Sequence, residues 1–474
     1  MHGNLYALLA SRFPADRATP AFRRPGAPAV SYGELESGAG RLAALLRRKG
    51  VGVGDRVAVQ APKSVEQVML YLATLKIGAV FLPLNTAYTK AEIDYFVSDA
   101  GPSLIVTDAA GLAAEAAALE PDARVHECAP EALAAIIYTS GTTGRAKGAM
   151  LSHGALAANG EALARAWEFT GRDVLLHALP IYHVHGLFIS LHCVLLSGAS
   201  AIWLPRFEED AVLAALPDST VMMGVPTFYT RLLADPRFGR EAARSVRVFI
   251  SGSAPLLPST FAEFEARTGQ PILERYGMSE ASVITTNPIE GERIAGSVGY
   301  PLPEVSLRIA DDGIVQIRGP SITSGYWRNP GKTQEAFTAD GYFITGDIGR
   351  LGDDGRLWLS GRSSDLVISG GLNVYPKEGE LVLDEHPDVE ESAVIGLPHK
   401  DFGEAVAAVV VGKGDEQTLI GATRAVLAAF KCPKRVFFVD ALPRNAMGKV
   451  LKAELRRRYA DTFVLEDQGP TSDA

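Results

Sequence analysis

Residues 134–148 combine the groups needed to hold a polyphosphate. Ala134-Ala-Ile-Ile-Tyr138 reads as a buried strand, and Thr139-Ser140-Gly141-Thr142-Thr143-Gly144-Arg145-Ala146-Lys147-Gly148 follows it. Glycines 141, 144 and 148 lack Cβ atoms and let the backbone approach a ligand closely. Thr139, Ser140, Thr142, Thr143 and Lys147 supply donors, and successive backbone N–H groups in such a loop make an anion cradle. A Gly/Ser/Thr run by itself reads as a surface loop. The preceding strand and the closing Lys-Gly point instead to phosphate binding, although the Walker spacing G-x-x-x-x-G-K-[ST] is absent. Arg444-Asn-Ala-Met-Gly448-Lys449 is a second candidate, since Gly448 permits a tight turn that aims Lys449 inward. A third segment, His177-Ala-Leu-Pro-Ile-Tyr-His183-Val184-His185, holds three of the nine histidines. No cysteine or acid stands at ligand spacing beside them, which argues against a metal site. Arg231 and Arg275 each read alone as surface cations. Arg275, however, directly precedes Tyr276, and a guanidinium inside a site is costly unless it grips an anion.

These groups need a scaffold, and the pattern supplies one. Arg56–Ala61 reads as a strand, and Val65, Val68, Met69, Leu72 and Leu75 then recur at helical spacing up to Gly78. Ala79–Leu82 and Leu104–Thr107 continue the alternation, and an Ala-rich helix runs on to Leu119. Such strand–helix alternation predicts the α/β class: a large body of helix-covered sheets over 1–361. Beyond it, a helix over 378–386, strands over 390–395 and 405–411, a helix over 419–430, a strand over 436–439 and a helix over 452–459 predict a small α+β domain, 362–474.

Composition narrows the partners. The 474 residues carry 46 Lys+Arg against 55 Asp+Glu, a formal charge of −9. This balance argues against nucleic acid and against an anionic membrane surface. Three scattered cysteines, Cys128, Cys193 and Cys432, form no C-x-x-C pair and suit a reducing cytoplasm. Residues 1–14 lack a secretory signal, and no apolar run of about 18 residues predicts a transmembrane helix.

The loop 138–148 resembles the signature of the adenylate-forming enzymes: acyl-CoA synthetases, luciferases and peptide-synthetase adenylation domains. Tyr276-Gly277-Met278-Ser279-Glu280, Gly341-Tyr-Phe-Ile-Thr-Gly-Asp347, Gly361-Arg362, Gly370-Gly371-Leu-Asn-Val-Tyr-Pro-Lys-Glu378 and the Lys449 segment follow in that family's order. The resemblance implies attack of a carboxylate on the α-phosphorus of ATP, with loss of pyrophosphate. It gives the phosphates to Thr139, Ser140, Gly141, Thr142, Thr143, Gly144 and Lys147, and Mg²⁺ to Glu280 with Thr139. Tyr276 would pack on adenine opposite Gly252-Ser253-Ala254, with Glu274, Gly277, Met278 and Ser279 completing the ATP site. Asp347 and Arg362 would hold the ribose. Lys449 would stabilise the adenylation transition state. After that step the small domain would rotate about Ser364, withdrawing Lys449 and bringing Gly370 and Gly371 to the coenzyme A path. Singly, Asp347 reads as a turn residue, Glu280 as a helix-start acid and Tyr276 as core.

Residues 82–88, 177–187, 224–231 and 273–276 further resemble malonyl-CoA synthetases. The resemblance places His183 beside the acyl group and gives the unreacted carboxylate of malonate to Arg231 and Arg275. Val184 stands where Thr is usual, Val283 where Met is usual and Ile284 where Asn is usual. These differences reshape the pocket near the substituent carbon, so methylmalonate is a second candidate. The expectation is a cytoplasmic, monomeric or weakly homo-oligomeric ligase using ATP, Mg²⁺ and coenzyme A on a small dicarboxylate. The alternatives are another short-chain or aromatic carboxylate–CoA ligase, or a stand-alone enzyme loading a carrier protein.

Overall fold

The structure, a computed structural model, describes residues 3–139, 146–445 and 448–465. By contact the chain forms two units: Met1–Leu307 with Gln316–Ile344, and Arg308–Val315 with Thr345–Ala474.

The first unit holds two sheets. One has the order Leu104–Val106, Arg56–Val59, Val80–Pro83, Leu133–Thr139, Lys147–Ser152. Its strands are parallel except the last, which turns back along Leu133–Thr139. Capped helices cover it. Ser64 caps Val65–Lys76, and Gly78, at φ +77°, lets the chain leave that helix. Thr89 and Glu92 form a capping box for Lys90–Ala100.

The other sheet has nine strands. Its parallel centre runs Ser200–Trp203, Val174–His177, Val221–Gly224, Val248–Ser251, Leu273–Met278. Ser282–Thr286 and Tyr300–Pro301 then extend it antiparallel. Every residue of the first four of these central strands is buried, which explains their continuous apolar runs. In α/β sheets of this kind, ligands bind beyond the carboxyl ends of the strands. Those ends carry His177, Gly224, Ser251 and the Arg275–Tyr276 pair.

In the second unit, Leu372–Val374, Val367–Ser369, Gly403–Gly412 and Val389–His399 lie in that order, and Arg435–Val439 joins Gly403–Gly412 in parallel. Alternate residues face opposite sides. Val394, Val406, Ala408 and Val410 pack on Leu383, Leu419 and Ile420, from helices Pro376–Asp384 and Glu416–Val426. Ile395, Ala407 and Val409 pack on Leu455 of helix Lys452–Arg458.

The unit border differs from the one expected at 361/362. The hairpin Phe343–Leu351 and Leu357–Arg362 groups mostly with the second unit. Thr345 Oγ1 donates to the Val315 carbonyl at 2.8 Å, and Gly349 N to the Gly313 carbonyl at 3.0 Å. Among the described residues no helix is long and apolar enough to cross a membrane.

Candidate active site

The phosphate end is built by a hairpin. Strands Leu133–Thr139 and Lys147–Ser152 pair so that Thr139 stands opposite Lys147. Ser140, Gly141, Thr142, Thr143 and Gly144 fall outside the described residues. Thr139 Oγ1 donates to Glu280 Oε1 at 3.4 Å, and the Tyr326 hydroxyl donates to the same oxygen at 3.2 Å. The Lys147 ammonium lies 5.2 Å from the Tyr326 ring centre. Glu280 is buried in the turn between strands Leu273–Met278 and Ser282–Thr286, not at a helix start. A carboxylate and a hydroxyl at this spacing form the hard oxygen set that Mg²⁺ accepts. Tyr326 was not singled out by its sequence context, because its partner lies 46 residues away.

Tyr276 is buried within its strand, and a register shift falls between it and Gly277. A Cβ at Gly277 would fall 1.9 Å from the Ser282 carbonyl oxygen, so only glycine fits there. Met278 and Ser279 are half-buried beyond it. Ser253 holds a left-handed φ of +75°, a strained conformation of the kind found at functional sites. Ala254 follows it, half-buried.

The Arg275 side chain is a buried cation of the first unit. Arg275 is 4% exposed and its guanidinium lies against Gly252. Its Nε and Nη2 make no hydrogen bond among the described residues. Burial pulls the guanidinium down to about 10. Glu274, its strand neighbour, points to the other face, where Oε1 accepts from Leu256 N at 3.2 Å. His183 is pushed down to about 4 by burial and then by the nearby Arg275 charge. His185 is held well below its usual range by the same two causes in the same order. Ser253 Oγ lies 3.2 Å from His185 Nδ1, and His185 Nε2 has no partner among the described residues. Val184 and Val283 are both buried. The arrangement is a buried cluster in which a guanidinium with two nitrogens unpartnered among the described residues lies near two histidines that burial keeps from protonating, chemistry suited to a carboxylate.

Arg231 is not brought to this cleft. In helix Pro226–Ala234 the buried side chains are Tyr229, Leu232 and Leu233, which leaves Arg231 on the outer face. There its Nε meets Glu209 Oε1 at 2.5 Å and the guanidinium lies over Phe207. Shared placement of both arginines on one carboxylate is therefore not the geometry observed.

The second unit gathers the remaining candidates. Asp347 and Arg362 face each other across their hairpin, with Arg362 Nε 2.7 Å from Asp347 Oδ1. Lys449 sits in a tight turn: Asn445 N donates to the Lys449 carbonyl at 2.9 Å, Lys449 N to Asn445 Oδ1 at 3.0 Å, and Gly448 has φ +75°. The residue as a whole is exposed, yet its ammonium is crowded. Its pKa is lowered first by burial and then by Arg362; Asp347 and Asp365 oppose the shift. Gly370 and Gly371, both at positive φ, turn the chain between strands Val367–Ser369 and Leu372–Val374. Ser364 lies in the short helical turn Ser363–Asp365, where Asp365 Oδ1 meets Arg456 Nη2 at 2.9 Å.

Comparison with known proteins identifies the family. The profile of the AMP-binding enzymes matches residues 10–327, and that of the AMP-binding enzyme C-terminal domain matches 378–449. The crystal structure of ATP-bound MatB from Rhodopseudomonas palustris superposes with a TM-score of 0.94 at 47% identity, covering 98% of this chain and 100% of that one. A malonate–CoA ligase of Arabidopsis thaliana is 34% identical, over 90% of this chain and 84% of that protein. A feruloyl-CoA synthase of Amycolatopsis sp is also 34% identical, over 92% and 95%. Motif order, fold and these matches lead to one conclusion: the chain belongs to the AMP-binding enzyme family, as an acid–thiol ligase.

Proposed function

We propose that this ligase converts malonate, ATP and coenzyme A to malonyl-CoA, AMP and pyrophosphate through an acyl-adenylate. One observation carries the choice of a dicarboxylate. The buried Arg275 guanidinium has two nitrogens without hydrogen-bond partners among the described residues, and no ion pair there neutralises it. A monocarboxylate with an apolar body would leave that charge uncompensated, whereas the second carboxylate of malonate compensates it. The likeness to MatB and to malonate–CoA ligases supports the same reading.

In this reading Thr139, Lys147 and the loop between them hold the β- and γ-phosphates. Glu280, with Thr139, holds the Mg²⁺ that neutralises phosphate charge. Tyr276 packs on adenine, and Asp347 and Arg362 hold the ribose. Lys449 stabilises charge between the attacking carboxylate and the α-phosphate. Neutral His183 lies beside the acyl group, where it offers a hydrogen bond without adding charge. Gly370 and Gly371 line the coenzyme A path, Ser364 is the pivot, and the enzyme works in the cytoplasm as a monomer or weak homo-oligomer.

The test is a panel of acids assayed for AMP release with and without coenzyme A. Malonate, with methylmalonate next, is expected to lead. Faster turnover of benzoate or octanoate overturns the dicarboxylate reading. Accumulation of adenylate that coenzyme A does not discharge points to loading of a carrier protein.

A further inference from the structure

Lys63 belongs to no motif named above, yet it is placed where the two sheets of the first unit meet. It follows strand Arg56–Val59 of the five-stranded sheet and precedes the cap of helix Val65–Lys76. Its ammonium reaches across to the nine-stranded sheet. There it donates to the His177 carbonyl at 2.8 Å, to the Leu204 carbonyl at 2.7 Å and to His177 Nδ1 at 2.9 Å. Those contacts use all three N–H groups of a lysine ammonium. The indole of Trp203 lies 4.3 Å away, and the His177 ring packs on the same indole with centroids 4.6 Å apart.

The contact decides how the imidazole is used. Nδ1 accepts from Lys63, so the ring proton sits on Nε2, which donates to the Gly186 carbonyl at 2.9 Å. Gly186 closely follows the residues of the acid cleft: it lies in the π-helical turn His185–Ser190, directly after His183, Val184 and His185. A Cβ at Gly186 would fall 2.1 Å from the Pro180 carbonyl oxygen, so this backbone is held close. Leu187 N donates to the His183 carbonyl at 3.0 Å, which ties the turn to His183.

We propose that Lys63 and His177 are positioning residues of the acid cleft. The Lys63 ammonium orients the His177 ring, and the ring holds the Gly186 peptide, fixing His183 and His185 against Arg275. Among the described residues Lys63 forms no ion pair, burial lowers its pKa well below the usual lysine value, and an amine satisfied only by neutral acceptors is a poor stability device. A methionine would fill the same space but leave the Leu204 carbonyl and His177 Nδ1 without their Lys63 donor. The Lys63 amine therefore serves geometry: with the Nε2 proton taken by the Gly186 carbonyl, it supplies the donor that holds Nδ1, which an apolar side chain could not supply. The inference rests on the cleft at Arg275 being the acid site, but not on which acid enters it.

The experiment uses Lys63→Met, His177→Gln and His177→Phe in the full chain, with whichever acid the wild type activates fastest. Glutamine keeps an N–H that reaches the Gly186 carbonyl; phenylalanine does not. Lys63→Met and His177→Phe are expected to raise the KM for the acid by about tenfold or more while the KM for ATP stays within about twofold. His177→Gln is expected to recover most of the loss. Amide exchange at Leu187 is expected to quicken in Lys63→Met and His177→Phe. Equal changes in both KM values, an acid KM unchanged in Lys63→Met, or no difference between Gln and Phe at 177 would overturn the proposal. If Lys63→Met does not fold, the two His177 variants decide. If the wild type activates no acid, the functional reading fails separately, and exchange at Leu187 still decides this one.

Discussion

Gly252 is the surface on which the Arg275 guanidinium rests: a Cβ at 252 would fall 2.4 Å from Arg275 Nε. The absence of one methyl group thus makes room for the buried cation. Gly252→Ala is expected to displace Arg275 and raise the KM for the acid by about tenfold or more. Arg275→Met is expected to raise it about a hundredfold, the equivalent of roughly 3 kcal/mol. The same variant removes an uncompensated buried charge, so the unliganded protein should melt no lower than wild type. Steady-state kinetics with each substrate varied, beside thermal melts, check both. A proportional rise in the KM for ATP would make Arg275 a structural residue.

Lys449→Ala is expected to bind ATP normally and to lose pyrophosphate release by about a hundredfold or more. Thioester formation from a supplied acyl-adenylate should persist. The turn that aims Lys449 depends on left-handed Gly448, so Gly448→Val should reproduce the loss in milder form. Pyrophosphate exchange separates the half-reactions, and unchanged exchange in Lys449→Ala would end its assignment.

The buried histidines set an acid limit. His153 and His183 lie near 4 and His192 near 3, each lowered first by burial. Unfolded, they return to about 6.5. Between these values the unfolded chain binds more protons, so stability is fully present above pH about 6.5 and falls as the pH drops toward 4. Urea midpoints should therefore be lower at pH 5 than at pH 7.5. His153 accepts from Leu5 N through Nδ1 at 3.1 Å, so the N-terminal helix Leu5–Ser11 should loosen early in that loss. Equal midpoints at the two pH values would contradict this.

Glu280→Gln keeps the size of the side chain and removes its charge. The variant is expected to need a several-fold higher Mg²⁺ concentration for pyrophosphate release while binding metal-free ATP as well as wild type. A Mg²⁺ titration of the variant and the wild type is the measurement, and superimposable curves would remove Glu280 from the metal's partners.

Much of this was legible from local chemistry. Strand–helix alternation gave the class, and the position of a cation directly before Tyr276 marked the buried guanidinium. The helix over 65–76 and its stop at Gly78 follow from spacing and from the freedom of glycine. What was not legible depends on partners far apart in the chain. Lys63 meets His177 and Leu204 across 114 and 141 residues, and no periodicity signals such a contact. Arg231 is the opposite case. Tyr229, Leu232 and Leu233 stand at helical spacing and already place residue 231 on the far side, so helix phase, weighed against motif likeness, would have turned it outward. Strand pairing, which composition does not signal, draws Arg308–Val315 into the second unit by contact.

The π-helical turn His185–Ser190 has a consequence for how the cleft could arise and be lost. Such a turn is an α-helix with one residue inserted, and each residue rotates the helix by about 100°. The insertion puts the His183–His185 end and the buried helix Leu191–Ser197 in different phases, so one end can serve a ligand while the other keeps its packing. A one-residue deletion between 186 and 190 would bring them back into phase. It would turn the histidines away from Arg275 and remove one buried side chain, Leu187, Phe188 or Ile189, a single-codon route to loss of the acid site.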